Sequence, residues 1–463
     1  MMNDPHSSAA GRPRSRSSVL STAGSALGSV GTALGSAGSG LGSVGSVLLG
    51  RAARAVTKLR GGGGSAFPGL VVEKVDPKFL ARTLHRLPRG VIVVSGTNGK
   101  TTTTKMVVEL LQGQGLKVFT NSSGSNFTRG VVASILGEVR LDGRLDADIA
   151  VLELDEAHAV HFVKAVQPHH SLLLNVMRDQ LDRFGEIDTT AGLLRTIAEH
   201  TQQGVVLNRE DPRVRSIAHS LRDQQVDYFG LSEALRSHFP SDDDFRSGPS
   251  AAADHPSADV VLEALTEGGG RFTLDGESVT TALTVNGAYN TFNAAAALAV
   301  VRQTLGETVD SAALIDSLAK VSPAFGRGES LTVQGRSLDL VLVKNPSGFR
   351  LGLSSFAPAG VATMIAINDN YADGRDMSWL WDVEFASLAE ERVRMISGVR
   401  AYDMALRLKY DGVDFDAVEP DLRTALETFL ADNPDQPARI FCTYTAMLAL
   451  RKLLGAYTEV EAF

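Results

Sequence analysis

The chain has 463 residues, 43% hydrophobic and 21% charged, with a formal net charge of −8. That size and composition suit a soluble globular protein of two or three domains, and the acidic balance argues against a nucleic-acid binder, which usually shows a basic face. The single cysteine, Cys442, excludes an internal disulfide and any multi-cysteine zinc site and fits a reducing cytoplasm; no run reaches about 18 uninterrupted apolar residues, so no spanning helix is expected.

Residues 1–64 carry seven Lys or Arg against one acid, Asp4, which makes the segment +6 and leaves −14 for the rest. Gly, Ser, Ala, Val and Leu dominate it, with a seven-residue echo at Leu27, Leu34, Leu41 and Leu48. Glycine at this density opposes helix formation, so residues 1–65 are expected to be a disordered, low-complexity tail. The sharper alternative is a weak amphipathic segment that touches an anionic membrane through its leucines and arginines, placing a cytoplasmic protein at the inner membrane face. A secretory signal is disfavoured, because Gly and Ser interrupt every candidate apolar core.

From Ala66 to about residue 210, apolar strands alternate with helical stretches. GVIVVSG (90–96), LKVFTN (116–121), ADIAVLELDE (147–156), HSLLLNV (170–176) and GVVLNRED (204–211) read as strands, each ending in polar residues. Such alternation predicts a parallel sheet covered by helices on both faces, with ligands at the carboxyl ends of the strands. The first strand runs into Gly96, Thr97, Asn98, Gly99, Lys100, Thr101 and Thr102, then a helical pattern. Free N–H groups at a helix start favour an anion, and glycines let the backbone approach a phosphate. Lys100 is placed to reach β- and γ-phosphates, and Thr101 to ligate Mg²⁺. Only the inner half of the usual phosphate-loop spacing is present, since Val94 stands where the first glycine belongs.

GTNGKTTTT is also similar to the ATP loop of the Mur ligase superfamily, and further segments agree. VLELDEA (151–157) resembles the acidic strand end that holds magnesium in that superfamily, which maps to Glu153. NVMRDQLDRFG (175–185) resembles its Asn-x-x-x-Asp-His-Leu-Asp segment, with Gln180 at the histidine position, and Arg195 stands about where many members carry a carbamylated lysine. NGAYNTFNAAAALAV (286–300) resembles the adenine-binding helix. Asn290 and Asn293 are three apart, on one helix face, and an amide both donates to and accepts from an adenine edge. PAFGRGE (323–329) resembles the linker into the last domain, where Arg327 is the expected nucleotide contact.

The last third separates subfamilies. LVLVKNPSGF (340–349), INDNYADGRDMSWLWDVEF (367–385) and SGVRAYDMALRLKY (397–410) resemble the MurT family, the synthase subunits of lipid II isoglutaminyl synthase. That resemblance implies an α/β protein: a central Mur-ligase-type ATP-binding domain with a parallel sheet (66–328), a smaller α/β C-terminal domain (329–463), and hinge closure near 325–330. It implies that ATP and Mg²⁺ activate the D-glutamate α-carboxyl of the lipid II stem peptide, at the membrane surface, as an acyl phosphate. Ammonia from a GatD-type glutaminase then gives D-isoglutamine. Asp382 maps to the aspartate that orients the glutaminase histidine, the part a third triad member plays. Cys442 lies in an apolar stretch and reads as core. Trp379 and Trp381 read as packing or interface anchors. Asp369, Asp373, Arg375 and Asp376 could face substrate or partner, and Lys344 could face the acyl phosphate. The cysteines of the family's zinc ribbon are absent from residues 230–260, so zinc is not expected and a flexible loop is. Two rivals are a folylpolyglutamate-type ligase joining an amino acid directly and a non-catalytic ATP-binding scaffold for cell-wall enzymes.

Overall fold

The computed structural model describes residues 43–59, 66–121, 126–177, 187–239, 255–285, 287–322, 327–355 and 360–458. In chain order these form α1 (Ser43–Leu59), α2 (Ala66–Val75), α3 (Phe79–Leu84), β1 (Val91–Ser95), α4 (Lys100–Gly113), β2 (Val118–Thr120), α5 (Thr128–Glu138), β3 (Ile149–Glu153), α6 (Glu156–Ala165) and β4 (His170–Leu173). They continue with α7 (Ile187–Glu199), β5 (Gly204–Asn208), α8 (Pro212–Ser216), β6 (Gln225–Leu231), β7 (Val260–Thr266), β8 (Gly269–Leu274), β9 (Glu277–Ala282), α9 (Ala288–Leu305) and α10 (Ser311–Lys320). The last third holds β10 (Arg327–Val333), β11 (Arg336–Leu342), α11 (Pro346–Ser355), β12 (Ala362–Ala366), β13 (Val393–Ser397), α12 (Ala401–Tyr410), β14 (Phe415–Glu419), α13 (Leu422–Asp432), β15 (Ala438–Cys442) and α14 (Tyr444–Leu454).

Two sheets organise the chain. The first has the order β2-β3-β1-β4-β5-β6-β7-β8-β9, parallel through β7 and antiparallel for the last two hairpin pairings. Every residue of β1 is buried, as a central parallel strand requires. Its residues alternate between two cores: Ile92 and Val94 pack with α4 and α9 side chains, and Val91 and Val93 pack with those of α5, α6 and α7. Since β2 and β3 lie on one side of β1 and β4 on the other, the chain reverses direction at the carboxyl end of β1, where a crevice opens in such sheets. The second sheet, β10-β11-β15-β12-β13-β14, is parallel apart from the β10–β11 hairpin. Helices cover it on both faces, with separate cores on each side.

The tail expectation needs one correction. Residues 1–42 lie outside the described residues, but Ser43–Leu59 is helical and packs on α2 and α5. The physical reason is local composition: between Val47 and Val56 only Gly50 interrupts a run of Val, Leu, Ala and Arg. Val47 is fully buried, and a Cβ on Gly50 would meet Leu136 at 2.5 Å, so the glycine permits the close approach rather than breaking the helix. Among the described residues no helix is long and apolar enough to cross a membrane.

Candidate active site

The turn between β1 and α4 is built for close approach. Gly96 and Gly99 have positive φ angles of 135° and 86°, and Gly99 stands at the N-cap of α4 with no side-chain cap. A Cβ on Gly99 would lie 2.8 Å from Asn293 Oδ1, so the predicted amide of α9 sits directly against the loop. Asn290 lies one turn earlier on α9, its N–H donating to Gly287 O. The loop is held from below by the end of β4. Asn175 accepts from the Asn98 N–H at 2.8 Å and donates to Asn98 O at 3.0 Å, and Thr97 Oγ1 accepts from the Met177 N–H.

Lys100 is buried and curls back over this loop. Its Nζ donates to Gly96 O and pairs with Glu156 at 3.0 Å. Thr101 Oγ1 donates to Glu153 Oε1 at 2.9 Å, and Asn126 donates to the same oxygen at 2.8 Å. Asn121 grips the Glu153 backbone from both sides, at 2.9 Å and 3.0 Å, which fixes the strand tip. Asn126 Oδ1 and Asp155 Oδ1 are buried here with no hydrogen-bond partner among the described residues. A hydroxyl, a carboxylate and orphaned oxygens form a hard donor set of the kind that suits Mg²⁺, which takes few protein ligands and completes its shell with phosphate and water. Among the described residues no group of three His, Cys, Asp or Glu forms a fuller metal cluster.

The C-terminal domain reaches into the same place. Lys344 Nζ donates to Thr97 O at 3.0 Å. Asn345, almost fully buried, exchanges two amide hydrogen bonds with Asn98, at 3.0 Å and 3.2 Å, while its Oδ1 also accepts the Gly348 N–H at the start of α11. The β1–α4 turn is thus one place where the two domains meet.

Next to it, Asn175, Asn208, Asp211, Phe229, Phe239, Tyr289, Phe292 and Asn293 line a small pocket of about 40 Å³, apolar on one wall and amide- and acid-bearing on the other. Burial pushes the Asp211 carboxyl up to about 6, although N–H donors from Val176, Arg213 and Val214 pull the other way.

Other expectations are distributed elsewhere. Asp382 ends a short turn, Ser378–Asp382, on the C-terminal domain, half-buried, with its carbonyl accepting from Arg350. The two tryptophans beside it part company. Trp379 is core, against Phe349, whereas Trp381 is 49% exposed and meets Tyr410 edge-on at 5.1 Å. Asp369 pairs with Arg400 at 2.8 Å, Asp376 accepts the Ser378 N–H, and buried Asp373 accepts from the N–H and hydroxyl of Thr445 at the head of α14. These three acids hold the fold. Cys442 is buried, and burial pushes its thiol far above the ordinary range. Arg327 opens β10 opposite Val341, with its side chain outside the described set. Gln180 and residues 240–254 are also outside the described residues. On either side of residues 240–254, Glu210 pairs with Arg209 at 3.0 Å and with Arg236 at 3.3 Å, and His255 lies 3.8 Å from it.

Sequence reasoning overlooked Glu156, Asn175 and Asn345. Glu156 carried a signal, as a second acid one helical start beyond Glu153. Asn345 precedes Pro346 and reads as an ordinary helix cap.

Comparison with known proteins agrees with this geometry. Residues 94–301 match the Mur ligase middle domain model and residues 342–447 the MurT ligase C-terminal model. A Streptococcus pneumoniae protein named lipid II isoglutaminyl synthase (glutamine-hydrolyzing) subunit MurT is 30% identical, with 89% of this chain and 96% of that one covered. The chain belongs to the MurT family. A Staphylococcus aureus MurT subunit of the same name is 26% identical over 79% of this chain and 87% of its own. Among solved structures, MurF from Acinetobacter baumannii has a TM-score of 0.64 at 19% identity, covering 84% and 80% of the two chains. MurF from Thermotoga maritima in complex with ADP gives 0.63 at 20% identity, with 82% of each chain covered; these two likenesses concern the fold. Membership makes this chain a Mur-type ATP-dependent ligase of peptidoglycan synthesis.

Proposed function

We propose that the chain is the synthase subunit that amidates the D-glutamate α-carboxyl of the lipid II stem peptide, with ATP as the activating co-substrate and ammonia from a GatD-type glutaminase. The observation that carries this reading is the paired arrangement at the β1–α4 turn. There Lys100 is held by Glu156, and Thr101 by Glu153, under the interdomain contact of Lys344 and Asn345. The names of the two MurT relatives supply the substrate and the glutamine dependence.

A carboxylate is a poor electrophile. An α-carboxylate oxygen attacking the γ-phosphorus, with ADP leaving, makes an acyl phosphate whose phosphate is then displaced by ammonia. On this reading Lys100 exchanges its Gly96 and Glu156 contacts for phosphate oxygens, and the α4 amino terminus adds N–H donors. Thr101 and Glu153 are the residues to hold Mg²⁺, which neutralises charge on the phosphates. Asn293 suits the adenine edge by its amide, which both donates and accepts. Closing the C-terminal domain at Asn345 excludes water from the activated carboxyl.

Asp382 suits the partner role by position. It lies beside exposed Trp381 and Tyr410, a rigid aromatic patch of the type that anchors protein contacts. A carboxylate presented there to a partner's imidazole fixes its tautomer. The test is co-expression with a candidate glutaminase and mass analysis of lipid II. Amidation appears as a loss of about one dalton that requires both subunits, ATP and glutamine. Turnover by this chain with a free amino acid and no glutaminase would instead support the folylpolyglutamate-type alternative.

A further inference from the structure

A second cavity lies between the domains, and the phosphate-loop residues do not line it. It encloses about 470 Å³. On one side are the β7–β8 hairpin at Thr266 and Gly269 and the first turn of α9 at Gly287, Ala288 and Thr291; on the other are Ser337, Asp339 and Arg439.

Arg439 is the unusual member. It sits on β15, a central strand, paired with Asp339 of β11 on one side and Thr363 of β12 on the other. It is 2% exposed, and its Nη1 is buried without a hydrogen-bond partner. Among the described residues it forms no ion pair: Asp339 attracts it only through space and gives its hydrogen bond to Ser330, and the guanidinium stacks 5.5 Å from the Phe441 ring centroid. A buried guanidinium with unspent donors is costly unless something negative meets it. The facing wall supplies a second, independent attraction for an anion. The 18-residue helix α9 starts at Gly287, which has φ 103° and contributes no side-chain cap. Backbone N–H groups at such a terminus favour negative charge. The first turns of α9 thus border two clefts, with Asn293 against Gly99 and Thr291 in the lining it shares with Arg439.

We propose that this cavity is a second binding site, for a phosphate-bearing small molecule of about the size of a sugar phosphate, with the oxyanion between Arg439 and the start of α9. A guanidinium offers a planar fork of donors to phosphate oxygens, and the cavity volume leaves room for a polar body beside Ser337 and Thr266. Occupancy ties β15 of the C-terminal domain to α9 of the central domain, so it holds the domains together independently of ATP.

The test is thermal melting of the full-length chain, alone and with Lys100→Ala to silence the phosphate loop, against inorganic phosphate, glucose 6-phosphate and neutral glucose. The site predicts that glucose 6-phosphate and phosphate raise the melting temperature in both proteins, that glucose does not, and that Arg439→Gln weakens the glucose 6-phosphate affinity at least tenfold. Arg439→Gln without ligand should melt no lower than wild type, because an uncompensated buried charge has been removed. Vesicles carrying phosphatidic acid should show no Arg439-dependent binding, which distinguishes a free phosphate ester from a lipid headgroup. The proposal is overturned by an absent shift in the Lys100→Ala protein, which needs no Arg439 variant to interpret. An equal shift with glucose, or an undiminished one in Arg439→Gln, overturns it too.

Discussion

At the carboxyl end of β3, beside the end of β1, the acids Glu153 and Glu156 are paired with Thr101 and Lys100 of α4. At the carboxyl end of β12 the acids Asp369, Asp373 and Asp376 are consumed by the fold, in an ion pair with Arg400, the Thr445 cap and the Ser378 turn. Both loops follow parallel strands and both are rich in polar residues. What separates them is where the partners come from. The first pair of acids takes its hydroxyl and its lysine from the first turn of α4, the helix that follows the glycine turn after β1. The second spends Asp369 and Asp373 on the starts of α12 and α14 and Asp376 on its own turn, and leaves half-buried Asp382 beside exposed Trp381. One loop makes a pocket and the other a rigid platform.

The comparison breaks most sharply at Lys100. Lys100→Ala should lower ATP-dependent amidation by about 10³-fold, the order of loss for a preorganised donor at a developing charge, while glutaminase binding persists; residual amidation near the normal rate would remove Lys100 from the chemistry. Asp382→Asn should do the converse, cutting glutamine hydrolysis in the complex by at least about 10²-fold with ATP binding intact. Unchanged hydrolysis would take Asp382 out of the proposed triad.

Asp373→Ala sharpens the contrast from the other side. Loss of the cap at Thr445 should cost about 1–2 kcal/mol in denaturant unfolding and leave the specific activity of the folded complex unaltered. A selective loss of glutaminase activation would show that this loop acid faces the partner after all. The smallest effect concerns Asp211, behind the phosphate loop. Its carboxyl is raised to about 6 in the folded state, so the neutral form favours folding; that stabilisation is present at low pH and is lost as pH rises through about 6. Between roughly pH 5 and pH 7.5 the loss is about 1.4 kcal/mol. Urea midpoints compared with Asp211→Asn should show the slope in wild type alone, and a parallel slope in the variant would assign it to another group.

The parallel sheet was legible because β-branched runs ending in polar residues alternate with helical periods, and the glycine turn between β1 and α4 because its glycines, lysine and hydroxyls are contiguous. Glu153, Asn290 and Asn293 were singled out through the family resemblance, and the structure places Glu153 on the Thr101 hydroxyl and Asn293 against Gly99. Asn345 was not, since its partner Asn98 is 247 residues away and no local pattern distinguishes it from a cap. Helix α1 was hidden by the glycine-rich stretch before it, although Val47 and Gly50 pack closely against α2 and α5. Arg439 looked like any strand arginine; only the pairing of β15 between β11 and β12 buries it.

The central claim is that the β1–α4 turn activates a carboxylate by phosphorylation. Lipid II labelled with oxygen-18 in both α-carboxyl oxygens, incubated with the complex, ATP and glutamine, tests it directly. The account predicts one labelled oxygen in each phosphate released and one in each amide formed, with no transfer in Lys100→Ala. Amide formed with unlabelled phosphate would contradict it.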